Sequence, residues 1–331
     1  MRIAIGTDDG LQVIRWLAGE RNGTVVSRAF EGHRTSSLAA SEGVLYAAGP
    51  EIGVQKSGDR GMSWEVTADL PTGVRAESLA TSPSGDLVVG TEPAHLLRSN
   101  DAGGSWADLP GFGALREVET WSDYGGKAAH VEAVTFDAHD PARLYAGVEI
   151  GGAYRSDDHG DTWIGVNEGV FDDIHDLVVD PRDGSRVFAA TGGGLYVSTD
   201  RGADWRPAAG DVGELYSTSL LAIARSRAAG PSETLFLLGT ASGPPATWGK
   251  AGRKAGGALW ISRDSGTSWA LVETSVLKGG SPVTALGEDP ADAATVLVGT
   301  SNGRIVHGNL TDSRWHQIMY GVGTVHAILV V

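Results

Sequence analysis

The sequence predicts an all-β protein built from a repeated structural unit. Glycine is abundant, at 48 of 331 residues, and no helical apolar period persists for long. Short β-rich runs such as 143–150 and 186–198 alternate with turns of Gly, Asp, Pro and Ser. One eight-residue pattern also recurs along the chain. Closed all-β folds can exceed 200 residues as one unit, so the length alone does not require several domains.

The recurring pattern is S-x-D-x-G-x-[ST]-W, with Asp204 replacing the hydroxyl residue in the fourth copy. Chance does not plausibly produce five copies that fix five of eight positions. Repeats at this period indicate stacked or radially arranged units. The copies are SGDRGMSW (57–64), SNDAGGSW (99–106), SDDHGDTW (156–163), STDRGADW (198–205) and SRDSGTSW (262–269).

This pattern resembles the Asp-box, or BNR repeat, of sialidase-like and glycosyl-hydrolase-like β-propellers. The resemblance implies a blade of four short strands, for which the segments 132–137, 143–149, 151–156 and 162–166 are one example. Two further units lack a full copy of the repeat. One covers 283–318. The other is split, because 3–16 and 24–30 supply three strands and 325–331 supplies the innermost one.

One apolar anchor in each innermost strand gives seven blades. We therefore predict a seven-bladed β-propeller of four-stranded blades, forming a single domain over residues 1–331. Blade 1 is split between 1–30 and 324–331, and pairing of the C-terminal strand with the N-terminal strands closes the ring. Closure removes the exposed sheet edges of an open array. The anchors are Leu38, Leu79, Val134, Leu177, Ile223, Leu286 and Ile328.

Composition argues against several classes of function. The formal net charge of −15 repels phosphate backbones, so we expect no nucleic-acid partner. The chain has no cysteine, which excludes disulfides and thiolate chemistry. No apolar run could span a membrane, and the N-terminus becomes polar too early for a signal peptide. We therefore expect no membrane partner and a cytoplasmic location.

Comparison of the five copies indicates that the repeat is a hairpin rather than a metal or catalytic loop. The acid-rich copy at 156–163 lacks the glycine that an EF-hand frame starting at Asp157 requires. An Asp at the third position can accept backbone N–H bonds, and Gly160 can adopt a positive φ. The repeat does not need His159, whose counterparts in the other copies are Arg60, Ala102, Arg201 and Ser265.

Two insertions interrupt the repeat, and both are expected at the same face of the ring. The connection from Trp106 to Val134 takes 28 residues and includes the segment 111–129. The loop between the second and third strands of the sixth blade swells to 239–258. Long loops on a rigid scaffold commonly carry binding function. Their aromatic residues are therefore candidate ligand contacts: Trp121, Tyr124 and Trp248.

Alignment on the anchors predicts rings of polar residues at this face, around the axial mouth. Two residues before the anchors stand Ser36, Glu77, Glu132, His175, Leu221, Thr284 and His326. Four residues before them stand Arg34, Arg75, His130, Asp173, Ser219, Pro282 and Thr324. The loops between second and third strands add Asp8, Glu51, Glu92 and Glu149.

These rings supply the candidate site residues. The predicted catalytic residues are Glu77, Glu132 and His175. The predicted ligand-binding residues at the mouth, besides the three aromatics, are Arg34, Arg75, His130, Asp173, Glu51 and Glu149. Two imidazoles and two carboxylates could also hold a divalent metal ion, and the predicted ligands are His175, His326, Glu77 and Glu132. A metal-free polar site and a water-filled structural lining are the alternatives.

The mouth favours binding of a small polar or carbohydrate-like ligand, with catalysis and assistance by a metal as open questions. One alternative is a glycoside hydrolase that uses paired carboxylates. Another is a non-catalytic scaffold, since Asp-box propellers also resemble photosystem II assembly factors. Sialidase activity is disfavoured, because the segments 2–4 and 304–306 lack the proline of the Arg-Ile-Pro motif of that family. No third mouth arginine joins Arg34 and Arg75.

Overall fold

The computed structural model describes residues 1–115, 121, 128–225, 233–248, 255–277 and 280–331. The predicted fold is confirmed: the described strands form seven antiparallel sheets of four strands each. The innermost strands of successive sheets contact one another in turn, and the last contacts the first, so the sheets form a ring. None of the described helices has the length and apolar character needed to span a membrane.

In each of the first four blades, four strands follow one another from the axis outwards. Blade 1 contains β28 (Val325–Val330), β1 (Arg2–Thr7), β2 (Gly10–Arg15) and β3 (Thr24–Ala29). Blade 2 contains β4 (Ser37–Ser41), β5 (Val44–Gly49), β6 (Gly53–Ser57) and β7 (Glu65–Val66). Blade 3 contains β8 (Arg75–Thr81), β9 (Leu87–Glu92), β10 (Leu96–Ser99) and β11 (Ala107–Asp108). Blade 4 contains β12 (Val131–Asp137), β13 (Asp140–Val148), β14 (Gly152–Ser156) and β15 (Ile164–Gly165).

The remaining blades follow the same order. Blade 5 contains β16 (Ile174–Asp180), β17 (Asp183–Thr191), β18 (Gly194–Ser198) and β19 (Arg206–Pro207). Blade 6 contains β20 (Tyr216–Arg225), β21 (Glu233–Ala241), β22 (Ala258–Ser262) and β23 (Ala270–Leu271). Blade 7 contains β24 (Val283–Asp289), β25 (Asp292–Thr300), β26 (Ile305–Asn309) and β27 (Trp315–Met319). Helical turns occur at α1 (Pro110–Gly113) and, in 3₁₀ form, at Asp211–Gly213 and Pro245–Thr247.

The ring closes as predicted. Strand β28 pairs antiparallel with β1, which places Ile328 opposite Ile5 and Val330 opposite Ile3. Ile3, Ile5 and Ile328 join one buried cluster that also includes residues of blade 7. The first and last described strands are therefore held in one sheet with a shared apolar core.

Close packing between blades explains the glycines in several second strands. A Cβ on Gly147 of β13 would lie 2.4 Å from Cγ2 of Ile174, which begins the innermost strand of the next blade. A Cβ on Gly299 of β25 would lie 2.5 Å from Cγ1 of Val325 in the same relation. Interiors are packed too densely to accept such an overlap. Glycine here lets the second strand of one blade approach the innermost strand of the next.

The eight-residue repeat forms a β-hairpin in all five copies, which confirms its structural interpretation. In blade 4, Asp158 Oδ1 accepts the Thr162 N–H at 2.8 Å, and Oδ2 accepts the Thr162 hydroxyl at 2.6 Å. Ser156 Oγ accepts the Gly160 N–H at 2.8 Å. His159 has a φ of 61°, a left-handed conformation that its counterparts in the other four copies share. The position is thus defined by the backbone and not by the imidazole.

We expect Asp158→Ala to lower the free energy of unfolding by about 1–2 kcal/mol, because the hairpin loses several side-chain hydrogen bonds. Chemical denaturation would measure the change. Asp161→Ala is the matched control, since its exposed carboxylate makes none of the described hydrogen bonds of this turn. Equal stability of the two variants would contradict the structural role of Asp158.

Candidate functional site

A β-bulge occurs at the same position in the innermost strands of six blades. The register of each of these strands shifts by one residue against its neighbour. A bulge inserts an extra residue and re-aims its side chain. The bulged residues all line the axial channel, and they are Glu77, Glu132, His175, Thr218, Thr284 and His326.

The predicted alignment is wrong in blade 6 and correct in the other five of these blades. The bulge in β20 falls at Thr218, so Leu220 pairs with Leu238 as the anchor, three residues before the predicted Ile223. Thr218 and Tyr216 therefore occupy the positions assigned to Leu221 and Ser219. Strand β20 carries several apolar residues in close succession, and apolar spacing alone could not choose among them. Tyr216 is therefore a site residue that the predicted alignment did not include.

The channel opens into a cavity of about 500 Å³, here called the mouth cavity. It is lined by the starts of the innermost strands and by the loop residues Asp8, Glu149, Pro245 and Trp248. A deeper axial cavity of about 290 Å³ lies beneath it and reaches the apolar anchors Leu38, Leu220, Leu286 and Ile328. The two cavities share Arg34, Glu132, His175 and His326, so they form one funnel.

Glu77 lies on the wall of the axial cavity with only 4% of its side chain exposed. Its Oε2 is 3.2 Å from Nη2 of Arg34. Burial raises the pKa of Glu77 to about 7, although the Arg34 charge opposes the shift, and the nearby Glu132 carboxylate raises it further. Glu77 therefore carries a proton for part of the time at neutral pH.

Glu132 belongs to a charged cluster with His130 and Glu149. His130 Nε2 is 2.7 Å from Glu132 Oε2, and its Nδ1 is 3.1 Å from Glu149 Oε2. Burial alone would lower the pKa of His130, but its hydrogen bond to Glu132 and the two carboxylate charges raise it to about 9. Burial likewise opposes ionisation of Glu132, yet His130 holds the Glu132 pKa well below its usual range. The imidazolium thus keeps Glu132 ionised beside the more easily protonated Glu77.

His175 is oriented by three neighbours. Its Nδ1 is 2.6 Å from the Ser217 carbonyl oxygen and donates to it, while Nε2 lies 3.4 Å from Asp173 Oδ2 and 3.2 Å from the Tyr216 hydroxyl. Burial would lower the pKa of His175, but the hydrogen bond and charge of Asp173 raise it overall. Tyr216 also packs against the imidazole, with ring centroids 4.8 Å apart.

Asp176 is a further carboxyl of the axial cavity that sequence reasoning missed. It directly follows the bulge residue His175, at a position where the other blades carry only small residues: Ser37, Ser78, Ala133, Ser219, Ala285 and Ala327. Asp176 accepts the N–H groups of Leu177 and Leu220, each at 2.9 Å. Burial raises its pKa to about 7 against these hydrogen bonds. The exception to an otherwise small-residue ring was the signal that could have identified it.

The four predicted metal ligands have other partners. His326 Nε2 lies 2.5 Å from Asp8 Oδ1. Glu77 pairs with Arg34, Glu132 with His130, and His175 with Asp173. Within the described part of the chain, no three His, Asp or Glu side chains converge as a metal site requires. The residues therefore give no geometric support to a divalent metal, which stays a prediction.

Of the other predicted ligand-binding residues, some line the mouth cavity and some lie outside it. Trp248 lines the mouth cavity, as expected. Arg75 does not line that cavity; half of its side chain is exposed, and it pairs with Glu92 at 2.5 Å. Glu51 is exposed and is likewise not among the lining residues. Trp121 packs on Phe112 and Tyr154 in a hydrophobic cluster, so its ring supports the core of blade 4. Tyr124 lies outside the described residues, as does most of the insertion around it.

Comparisons with known proteins relate this chain to xyloglucanases. No family model matches it. It is 27% identical over 228 residues to a xyloglucanase from a Paenibacillus species, covering 62% of this chain and 21% of that protein. It is 25% identical over 248 residues to a xyloglucanase from Hypocrea jecorina, covering 75% and 26%. The chain thus spans about a quarter or less of the length of these curated relatives.

Solved structures show the same fold. The GH74 xyloglucanase from Xanthomonas campestris matches with a TM-score of 0.66 and 22% identity, over 95% of this chain and 52% of that one. YCF48 bound to D1 peptide matches with a TM-score of 0.59 and 16% identity, over 89% of this chain and 83% of that one. At these identities the matches establish the propeller architecture alone.

Proposed function

We propose that this propeller binds carbohydrate in its mouth cavity and acts there as a glycoside-hydrolase-like enzyme. The observation that carries the proposal is the pair Glu77 and Glu132, which face one funnel and have pKa values shifted in opposite directions. Pairs of carboxyl groups with separated pKa values supply the acid and the base of glycoside hydrolysis. The similarity to xyloglucanases supports xyloglucan-derived saccharides as the substrate class.

In this proposal Glu77 is the general acid. Its carboxyl group holds a proton near neutral pH and can donate it to the glycosidic oxygen as that bond breaks. Glu132 remains ionised and stabilises the positive charge that develops on the sugar, either directly or by activating water. His130 is a positioning residue, since it holds Glu132 in place and keeps it charged. His175, held by Asp173 and Ser217, contributes an imidazole to the same wall.

The test is release of reducing ends from xyloglucan and its oligosaccharides by the purified protein. Glu77→Gln and Glu132→Gln should each lower turnover by about 10²–10⁴-fold, because each removes one proton-transfer or charge-stabilising group. Both variants should still bind the saccharide in calorimetry. Glu65→Gln is the matched control, since Glu65 lies exposed on the outer strand β7.

The outcomes separate the proposal from its alternatives. Full turnover by Glu132→Gln would contradict the assigned site. Saccharide binding without hydrolysis by the unmodified protein would overturn the catalytic part and leave a carbohydrate-binding propeller. Failure to bind any of these saccharides would overturn the whole proposal and favour the non-catalytic scaffold.

A further inference from the structure

The mouth cavity has one apolar wall, and it lies on the sixth blade. Tyr216 contributes an aromatic ring, already packed against His175 with centroids 4.8 Å apart. Pro245 and Trp248 reach the same cavity from the inserted loop between β21 and β22. These three residues are called the apolar wall below. No charged side chain of blade 6 is among the described residues that line this cavity.

Residues 243–248, the described part of the loop that precedes and includes Trp248, are held by their own hydrogen bonds. The Trp248 indole N–H donates to the Gly243 carbonyl oxygen at 2.7 Å, and the Thr247 hydroxyl donates to the Pro244 carbonyl oxygen at 2.7 Å. The Trp248 backbone N–H donates to the Pro245 carbonyl oxygen at 3.0 Å. Because the indole N–H is used inside the loop, the ring meets a ligand through its apolar surface.

On both sides of the apolar wall, blades 1 and 4 line the mouth cavity with charged groups. Asp8 pairs with His326, and His130 lies between Glu132 and Glu149. A pyranose ring has the same division, with an apolar C–H face and an edge of hydroxyl groups. Apolar lining with a few placed polar groups is the usual composition of a small-molecule site. The apolar wall and these charged groups therefore suit one sugar ring, stacked on blade 6 with its hydroxyl edge towards blades 1 and 4.

The depth of the funnel determines how a saccharide can approach. Glu77 and Asp176 lie in the axial cavity, below the opening and inside the ring of bulges. The axial cavity reaches the apolar anchors and is surrounded by innermost strands that contact one another around the ring. A saccharide that reaches Glu77 therefore enters along the axis, which a chain end can do, whereas an internal segment of a polymer would have to fold back on itself.

We propose that the mouth cavity binds the terminal residue of a saccharide end-on, with its ring against the apolar wall. This inference rests on the proposed carbohydrate function and specifies the substrate class as chain ends and short oligosaccharides. Trp248 is then a specificity-determining residue that holds the sugar ring in the funnel above Glu77 and Glu132.

Xyloglucan tested before and after cleavage by a separate endo-acting xyloglucanase distinguishes the two binding modes. At equal polymer mass, with chain ends kept well below Kd, a digest with about ten times as many ends should bind about tenfold more of this protein by mass action. The digesting enzyme is removed first, and binding is measured with the Glu132→Gln variant so that turnover does not consume the ends. Binding that follows polymer mass rather than chain ends would overturn the inference while leaving the proposed carbohydrate function intact.

The apolar wall is tested with variants at one residue. Trp248→Ala should weaken oligosaccharide binding by about tenfold, since aromatic stacking of this kind is worth roughly 1 kcal/mol or more, and Trp248→Phe should restore most of it. Tyr320→Ala is the matched control, because Tyr320 is exposed and lies outside the lining of the mouth cavity. Unchanged binding by Trp248→Ala would contradict the stacking role, whereas absence of saccharide binding by every form would overturn the proposed function itself.

Discussion

Replacing Glu77 with glutamine should stabilise the protein at pH 8 by about 3 kcal/mol and leave its stability at pH 4 nearly unchanged. The folded protein keeps the Glu77 proton up to about pH 7, whereas the ordinary pKa of a glutamate is 4.5. Between these values unfolding releases a proton, so the free energy of unfolding falls as the pH rises. Glutamine cannot ionise, so the free energy of unfolding of the variant does not fall in this way as the pH rises. Denaturant unfolding at both pH values measures the difference.

Other ionisable groups also shape the pH profile, so the comparison is between variant and unmodified protein at each pH. Arg34, His130, Glu92 and Glu132 all influence Glu77 and remain in both forms. Glu65→Gln controls for the loss of a glutamate charge at an exposed site. If Glu77→Gln is destabilised equally at pH 4 and pH 8, Glu77 acts as an ordinary partner of Arg34 and its assignment as the acid is wrong.

Replacing Arg143 with methionine should lower the free energy of unfolding by about 3–5 kcal/mol, because it leaves a buried carboxylate without its counter-charge. Asp137 is fully buried, and its Oδ2 lies 3.0 Å from Nη1 of Arg143. The same guanidinium contacts Asp140 at 3.0 Å and Asp157 at 2.5 Å. Thermal or denaturant unfolding at pH 7 measures the loss.

Two further variants identify the cause of that loss. Asp137→Asn combined with Arg143→Met should recover part of the stability, since the buried charge is then removed as well. Arg206→Met should have little effect, because Arg206 is 83% exposed and its contact with Asp204 is an exposed ion pair. No recovery in the double variant would show that Arg143 acts by packing rather than by charge.

The repeat made the fold predictable, because each copy forms the hairpin between the third and fourth strands of a blade. That register placed Glu77, Glu132, His175 and His326 at equivalent positions near the axis, and the structure has a bulge at each of them. The register failed in blade 6, where β20 has no unique apolar anchor: the predicted Ile223 follows Trp205 by 18 residues, whereas the observed Leu220 follows it by 15. Tyr216 was lost for this reason, although it contacts His175.

Side-chain direction was the less predictable part of the site. Alternation along a strand assigns Asp176 to the opposite side from His175, and only the bulge brings both towards the cavity. Trp121 was expected to face the ligand, but its ring packs in the core beside Phe112. Bulges and loop packing depend on contacts between blades, which spacing along one strand does not contain.

The pairing of β28 with β1 has a consequence for the order of events during synthesis. Strand β1 emerges before the rest of its blade's axial side, since its partner there lies at Val325–Val330. At translation rates of about 5–20 residues per second, β1 therefore waits roughly 15–60 s with one edge unpaired. During that interval the unpaired edge of β1 can form non-native pairs with other strands. Mutations that slow the arrival or docking of β28 should therefore reduce the yield of folded protein more than its final stability.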